Sequence, residues 1–206
     1  MASIGIRALT MRIILASASP ARLATLRSAG IFPEVIVSGV DESTVQDSDP
    51  ARLATSLAKL KCRAVSAQHA EALTIGCDSI LGLDGDIFGK PVDAADAVAR
   101  WKRMRGNAGV LHTGHCVRLD GRELSRCAAT VVHFAELSDA EIDAYVATGE
   151  PQQVAGAFTI DGLGGPFVTG IEGDHHNVVG LSLPVLREMF ADLEIAWTDV
   201  WQIPTG

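Results

Sequence analysis

The chain has 206 residues, 48% of them hydrophobic and 20% charged, which excludes a disordered polypeptide and provides apolar side chains for one substantial core. Its formal net charge of −8 disfavours strong binding to nucleic acid or to an anionic membrane, so an anionic ligand has to be met by a few specific cations. No apolar run approaches the roughly 18 residues of a membrane span, and Cys62, Cys77, Cys116 and Cys127 form no CxxC pair and read as reduced core residues of a cytoplasmic protein.

The opening decapeptide, MASIGIRALT, carries one charge and is too short for a signal peptide. Residues 1–11 read as an upstream start or a loose tail, and residues 12–206 as a single domain. Arg12 to Ala16 is a short apolar run with the look of a buried strand, broken by Ser17-Ala18-Ser19. Pro20 suits a first helical position and Ser19 its cap, so a helix follows from Ala21 to Ala29. Strand, tight loop and helix start together present unpaired N–H groups and a positive dipole end, a local chemistry that attracts phosphate.

Ile31 to Ser38 reads as a second strand, ended by Gly39-Val40-Asp41-Glu42. Pro50 to Gln68 has helical spacing, with Leu53, Leu57, Leu60, Ala64 and Val65 on one face. Leu73 to Cys77 is a buried strand ending in Asp78-Ser79, with Ile80 to Leu83 as its continuation and Asp84-Gly85 as a hairpin turn. A loop at Phe88-Gly89-Lys90-Pro91 precedes a helix from Ala94 to Met104. Two β-rich runs, Val110 to Leu119 and Arg122 to Phe134, flank Asp120-Gly121 and form the clearest hairpin. Ser138 to Thr148 is a helix with Glu141 completing a capping box, glycines crowd 156–173, and Pro184 to Leu193 is the last helix. Alternating strands and helices predict an α/β fold, and the long hairpin predicts a mixed sheet.

Polar residues just beyond strand ends line the binding crevice of such sheets, which singles out Ser17 and Ser19, Glu42, and Asp78. Two carboxylates there suit a hard divalent cation and a positioned water, although either alone reads more readily as a turn or helix cap. Lys61 would ordinarily be a solvated helix charge, whereas Gly89-Lys90-Pro91 fixes a loop that presents one cation. Arg22 sits in the first turn of its helix, where the dipole disfavours a cation, which is mild evidence for a ligand anion. His112 and His115, three apart in a strand, point to opposite faces and do not share an ion. Asp174-His175-His176 lacks the partner ligands of a metal site, and Trp101, Trp197 and Trp201 read as helix packing and a C-terminal cover.

With these residues collected, the chain resembles the Maf family of nucleoside triphosphate pyrophosphatases over about residues 12–193. The resemblance rests on ordered segments: LASASPAR, VDE at 40–42, LAKLKCRA at 57–64, IGCDS at 75–79, GKP at 89–91, TGE–P at 148–151, AGAFTIDGLGG at 155–165 and NVVGLSLP at 177–184. It implies a twisted mixed sheet with surrounding helices and two lobes around a cleft, related to inosine triphosphate pyrophosphatases, and commonly a homodimer. It implies a metal-dependent hydrolase (Mg²⁺, Mn²⁺ or Co²⁺) that cleaves a nucleoside triphosphate to the monophosphate and pyrophosphate, in a house-cleaning or pool-control role. Carried over, Ser17, Ser19 and Arg22 bind phosphate, Lys61 and Lys90 bind the triphosphate, and Glu42 and Asp78 serve the metal and the attacking water, with Asp78 as proton acceptor.

Three positions depart from the family members specialised for thymidine and uridine triphosphates, which carry Arg, Thr and Gln where this chain has Ala21, Ser79 and Asp161. The Trp that marks preference for 7-methylguanosine triphosphate is absent from position 21 as well, and the usual serine-glycine-arginine-type turn reads Arg105-Gly106-Asn107, with Gly109 in place of a frequent histidine. The expectation is therefore an enzyme accepting several bases. A nucleotide-binding regulator of septum formation without significant turnover is the competing reading, and a house-cleaning phosphatase for noncanonical purine triphosphates is a third.

Overall fold

The computed structural model describes residues 11–202, and the expectation for the N-terminal decapeptide lies outside them. The first strand, β1 (Ile13–Leu15), is fully buried and runs into α1 (Pro20–Ser28), with Pro20 at its start and Ser19 as N-cap. The second strand is shorter than its sequence suggests. β2 is only Glu34–Val35, because Pro33 supplies no N–H to a ladder and β1 offers a three-residue partner.

A 3₁₀ turn at Glu42–Thr44, N-capped by Asp41, leads to α2 (Pro50–Ser66), capped by Asp49. Next come β3 (Leu73–Leu83), β4 (Asp86–Phe88), α3 (Ala94–Met104), β5 (Ala108–Leu119) and β6 (Arg122–Phe134). α4 (Asp139–Ala147) carries the capping box expected from Ser138 and Glu141, and the chain closes with β7 (Val168–Glu172), α5 (His175–Val179) and α6 (Leu183–Asp192). No helix among the described residues is long and apolar enough to cross a membrane.

The seven strands form one mixed sheet in the order β2-β1-β3-β5-β6-β7, with β4 also on β3. β1 is parallel to β2 and β3, and the remaining pairs are antiparallel. β3 is its spine. One edge pairs with β5 from Thr74 to Gly82, so the break expected at Asp78-Ser79 is absent and both residues lie mid-strand. The other edge is shared, pairing with β1 at Leu73 to Ile75 and with β4 at Leu81 to Leu83. Residues 76–80 are left between these two partners, and that gap positions the site.

α2 covers one face of the sheet by close approach. A Cβ on Gly76 would come within 2.5 Å of the Ala58 carbonyl oxygen, and one on Gly114 would collide with the backbone of Ala54, so both positions require glycine. The opposite face carries two separate apolar clusters. Ile13, Leu15, Ile75, Leu186 and Phe190 belong to one, and Leu81, Leu83, Trp101, Leu111 and Phe134 to the other. Between them runs a buried polar seam of Ser79, Thr113, Thr130 and Asn177, joined by hydrogen bonds of 2.9 to 3.2 Å. Cys62, Cys77 and Cys116 are core thiols, as expected, but Cys127 on β6 is exposed.

Candidate active site

Asp78 projects from the unshared stretch of β3 toward α2, where Lys61 sits three turns along the helix. The Lys61 ammonium is 2.7 Å from Asp78 Oδ1 and 2.9 Å from Glu42 Oε1. Glu42 comes from the 3₁₀ turn, which Asp41 fixes by accepting from the Ser43 N–H at 3.0 Å. Lys61 and Asp78 side chains are only 12% exposed, while Glu42 is 51% exposed and forms the solvent side of the cluster. Lys61 is therefore no solvated helix charge. It is a half-sheltered cation on which two carboxylates converge, leaving a net negative charge.

Ser79, one residue on, faces the other way. Its hydroxyl accepts from Arg22 Nη2 at 3.1 Å and donates to Thr113 Oγ1 at 2.9 Å, since Thr113 itself donates to the Asn177 carbonyl. Arg22 turns away from α1 and reaches into the gap in the β3 edge. Its Nη1 donates to the Cys77 carbonyl at 2.9 Å and to Ser17 Oγ at 3.1 Å, and its Nε donates to the Gly180 carbonyl at 2.7 Å. Ser17 in turn accepts from the Ser19 N–H at 3.2 Å, and Ser19 accepts from the Arg22 N–H at 3.4 Å. Arg22 is 8% exposed, and among the described residues no carboxylate is its partner. Removing a cation from water costs several kcal/mol, so a buried arginine held only by neutral oxygens has unspent attraction for an anion.

That uncompensated charge is felt by a neighbour. The His115 ring is fully buried on the same face, and burial first, then the Arg22 charge, pushes it down to about 4. Its Nε2 accepts from the Ser182 N–H at 2.8 Å, so the neutral ring carries its proton on Nδ1 and secures the start of α6. His112 faces α2 instead, as the strand alternation predicts. Asp174 caps α5 by accepting from the His176 N–H at 2.9 Å, a structural task.

Lys90 stands apart from both groups. It is exposed on the loop between β4 and α3 and makes no ion pair among the described residues. The loop itself is held firmly. Arg100 Nη1 donates to the Gly89 carbonyl at 2.7 Å, and the Gly156 N–H reaches the same oxygen at 3.0 Å. This second bond ties the lysine loop to the glycine-rich segment. Asp161 is exposed in that segment and Ala21 is half-buried on α1, while Ser79 belongs to the Arg22 network.

One residue without an assigned role in the sequence organises the segment. Glu150 accepts from Thr159 Oγ1 at 2.5 Å, Tyr145 Oη at 3.0 Å, and the Leu163 and Gly164 N–H groups at 3.1 Å each. A Cβ on Gly162 would lie 2.7 Å from Glu150 Oε2, so the glycines there make room for this carboxylate. The signal was the conjunction of TGE–P with a glycine run, which needs an internal acceptor for its N–H groups.

Fold and site together define an α/β protein with a buried arginine on one face, and a lysine-bridged carboxylate pair on the other, of the break in one strand's pairing. The chain belongs to the Maf family: the model described as Maf-like protein matches residues 12–193. It is 58% identical to a nucleoside triphosphate pyrophosphatase of Salinispora tropica, covering 96% of this chain and 91% of that one. The protein of the same description from Streptomyces coelicolor is also 58% identical, covering 92% and 94%. That from Trichormus variabilis is 49% identical, covering 94% and 99%. A solved HAM1 protein from Coxiella burnetii superposes with a TM-score of 0.41 at 15% identity, over 62% of this chain and 75% of its own, too partial a likeness to bear on fold or activity.

Proposed function

We propose that this protein is a nucleoside triphosphate pyrophosphatase, a hydrolase that splits the α–β anhydride to give a monophosphate and pyrophosphate. The relatives of that description, at 49–58% identity along nearly the whole chain, support the reaction class. The observation that carries the assignment to this site is the buried Arg22 without a carboxylate, backing the strand whose next-door Asp78 faces Lys61. Residues 12–206 act as one catalytic domain, in the cytoplasm and as a homodimer.

Arg22, Ser17 and Ser19 receive phosphate oxygens at the gap in the β3 edge. Lys61 and Lys90 add positive charge where pyrophosphate departs, and stabilising that developing charge inside a cleft lowers the barrier. Asp78 accepts the proton of the attacking water, and Glu42 orients it from the solvent side. Glu42 and Asp78 also fit a divalent cation. Their oxygens already converge on one cation, and two carboxylates are the hard donor set that Mg²⁺ and Mn²⁺ take, with the phosphates completing the shell. Such an ion, Mg²⁺, Mn²⁺ or Co²⁺, supplies neutralisation of the phosphates and a more acidic water when bound.

The test is product analysis with and without chelator. Pyrophosphate released with the monophosphate, and activity abolished by excess chelator and restored by one of these ions, is expected. Orthophosphate as the primary product overturns the reaction class, and full turnover in chelator overturns the metal requirement.

A further inference from the structure

We infer that Lys61 is the resident counter-cation of the Glu42–Asp78 pair, and that it yields the two carboxylates only when the phosphates of a metal–nucleoside triphosphate complex take its ammonium. The inference rests on the pyrophosphatase reading above and adds an order of events to it.

The geometry is specific. Nζ lies 2.7 Å from Asp78 Oδ1 and 2.9 Å from Glu42 Oε1, so it fills the space where both carboxylates would share a divalent ion. Each carboxylate gives one oxygen to the lysine, and a divalent ion bridging that same pair of oxygens would meet the ammonium at contact distance and be repelled. Among the described residues no group of three acidic, histidine or cysteine side chains gathers to hold an ion without help. A free divalent ion thus has to displace an ammonium from a site that supplies only two side chains. With the nucleotide present, phosphate oxygens provide both the missing ligands and a new partner for Lys61.

The exchange falls to the lysine side chain and to Glu42. α2 cannot shift along or away from its place easily, because Ala58 and Ala54 backbone atoms lie directly on Gly76 and Gly114 of the sheet. Asp78 is fixed within β3 by the ladder to β5. Lys61 hangs from α2 on a flexible four-carbon stem, and Glu42 is 51% exposed on a three-residue turn. Lys61 therefore couples ion and nucleotide binding. Because coupling is reciprocal, nucleotide must raise the affinity for the ion by the factor with which the ion raises that for nucleotide. An additional effect is that the empty site does not collect stray cations.

The measurement is Mn²⁺ binding by the full chain, read from the free-ion paramagnetic resonance signal, with and without an α,β-imido triphosphate that resists cleavage. The wild type should bind Mn²⁺ alone weakly and at least tenfold more tightly with the analogue. Lys61→Met should bind Mn²⁺ alone at least tenfold more tightly than the wild type and gain less from the analogue. If Lys61→Met binds Mn²⁺ alone no better, while Glu42→Gln and Asp78→Asn still weaken binding with the analogue, the Lys61 inference falls and the pyrophosphatase site stands. If neither carboxylate variant alters Mn²⁺ binding with the analogue, the metal site itself falls and this inference with it. Lys61→Gln replaces the methionine variant should that one not fold. Should neither fold, the wild type decides: Mn²⁺ bound equally tightly with and without the analogue overturns the inference.

Discussion

Asp78 and Ser79 are neighbours in sequence that serve opposite faces of the sheet: Asp78 meets Lys61 at 2.7 Å beneath α2, and Ser79 accepts from Arg22 at 3.1 Å on the other side. They can do so because β3 runs unbroken through both, its side chains alternating while β5 holds the far edge. On the near edge, pairing with β1 stops at Ile75 and pairing with β4 begins at Leu81, so residues 76–80 have no strand partner there. Arg22 enters that opening through the Cys77 carbonyl. A phosphate chain at the gap would have a guanidinium on one side and a carboxylate–ammonium pair on the other.

Asp78→Asn keeps the shape of this junction and removes its proton acceptor. We expect kcat to fall on the order of 10²-fold or more, the usual scale for losing a positioned general base, with the fold intact by circular dichroism. Near wild-type turnover would move the role to Glu42.

Lys90 gives the complementary result. Its amine makes no ion pair among the described residues, so Lys90→Ala removes no folded-state contact of the kind Lys61 makes. Its melting temperature should stay within about two degrees of wild type, since surface substitutions stay within ~0.5 kcal/mol. Its kcat/KM should nevertheless drop by about tenfold or more, the worth of one charge-assisted hydrogen bond. A variant with unchanged kinetics would exclude Lys90 from the site.

Gly114→Ala tests the seat of α2. The added Cβ would collide with the Ala54 backbone, so relief requires moving the helix that carries Lys61. Overpacking of this kind costs about 1–3 kcal/mol and sometimes more. Denaturant unfolding should show that loss with kcat reduced as well. Full stability in the variant would mean that α2 rides freely on the sheet.

Much of this arrangement was legible in the chain. The mixed sheet followed from alternation and from Asp120-Gly121, and α1 and α4 follow their capping residues closely. What stayed hidden depends on pairing between distant segments. Asp78-Ser79 looks like a strand end because polar residues follow an apolar run, and only the ladder to β5 makes it a strand interior. Lys61 looks like a solvated charge because its carboxylates are 17 and 19 positions away and arrive through tertiary packing. Glu150 has no role readable in the sequence because the glycine loop brings its N–H partners to it only on folding.

His115 gives the stability a pH dependence with a defined sign. Its pKa is lowered from 6.5 to about 4 in the folded protein, chiefly by burial and then by Arg22. The unfolded chain therefore binds the extra proton first as pH falls. The stabilising contribution is complete above about 6.5 and declines progressively as pH drops toward about 4. A shift of that size corresponds to roughly 3 kcal/mol. His115→Gln keeps an acceptor for the Ser182 N–H and cannot titrate. The difference in stability between the two proteins should narrow between pH 6.5 and 4, with a slope near one proton, whatever the carboxylates contribute to both. Parallel stability curves over that interval would show that His115 opens to water before it protonates.

The base is where side chains are fewest. Ser79 already donates its one hydroxyl proton to Thr113 and accepts from Arg22, so it offers no free donor to a nucleobase. Ala21 has no polar atom to offer, and Asp161 is exposed on the segment that Glu150 holds from within. A site discriminates strongly when buried polar groups are left unpaired by the wrong ligand, and an open or apolar one separates analogues by only ~1–3 kcal/mol. We therefore expect kcat/KM across a panel of ribo-, deoxy- and modified triphosphates to spread less than about a thousandfold. When ionised, Asp161 only accepts, which favours bases presenting an N–H, and Asp161→Asn adds a donor at the same place. That variant should reorder the panel while leaving the rate on the best substrate within about tenfold, because a base contact shifts specificity more than phosphate chemistry. A single base preferred by more than about a thousandfold would place a discriminating polar group outside these three positions.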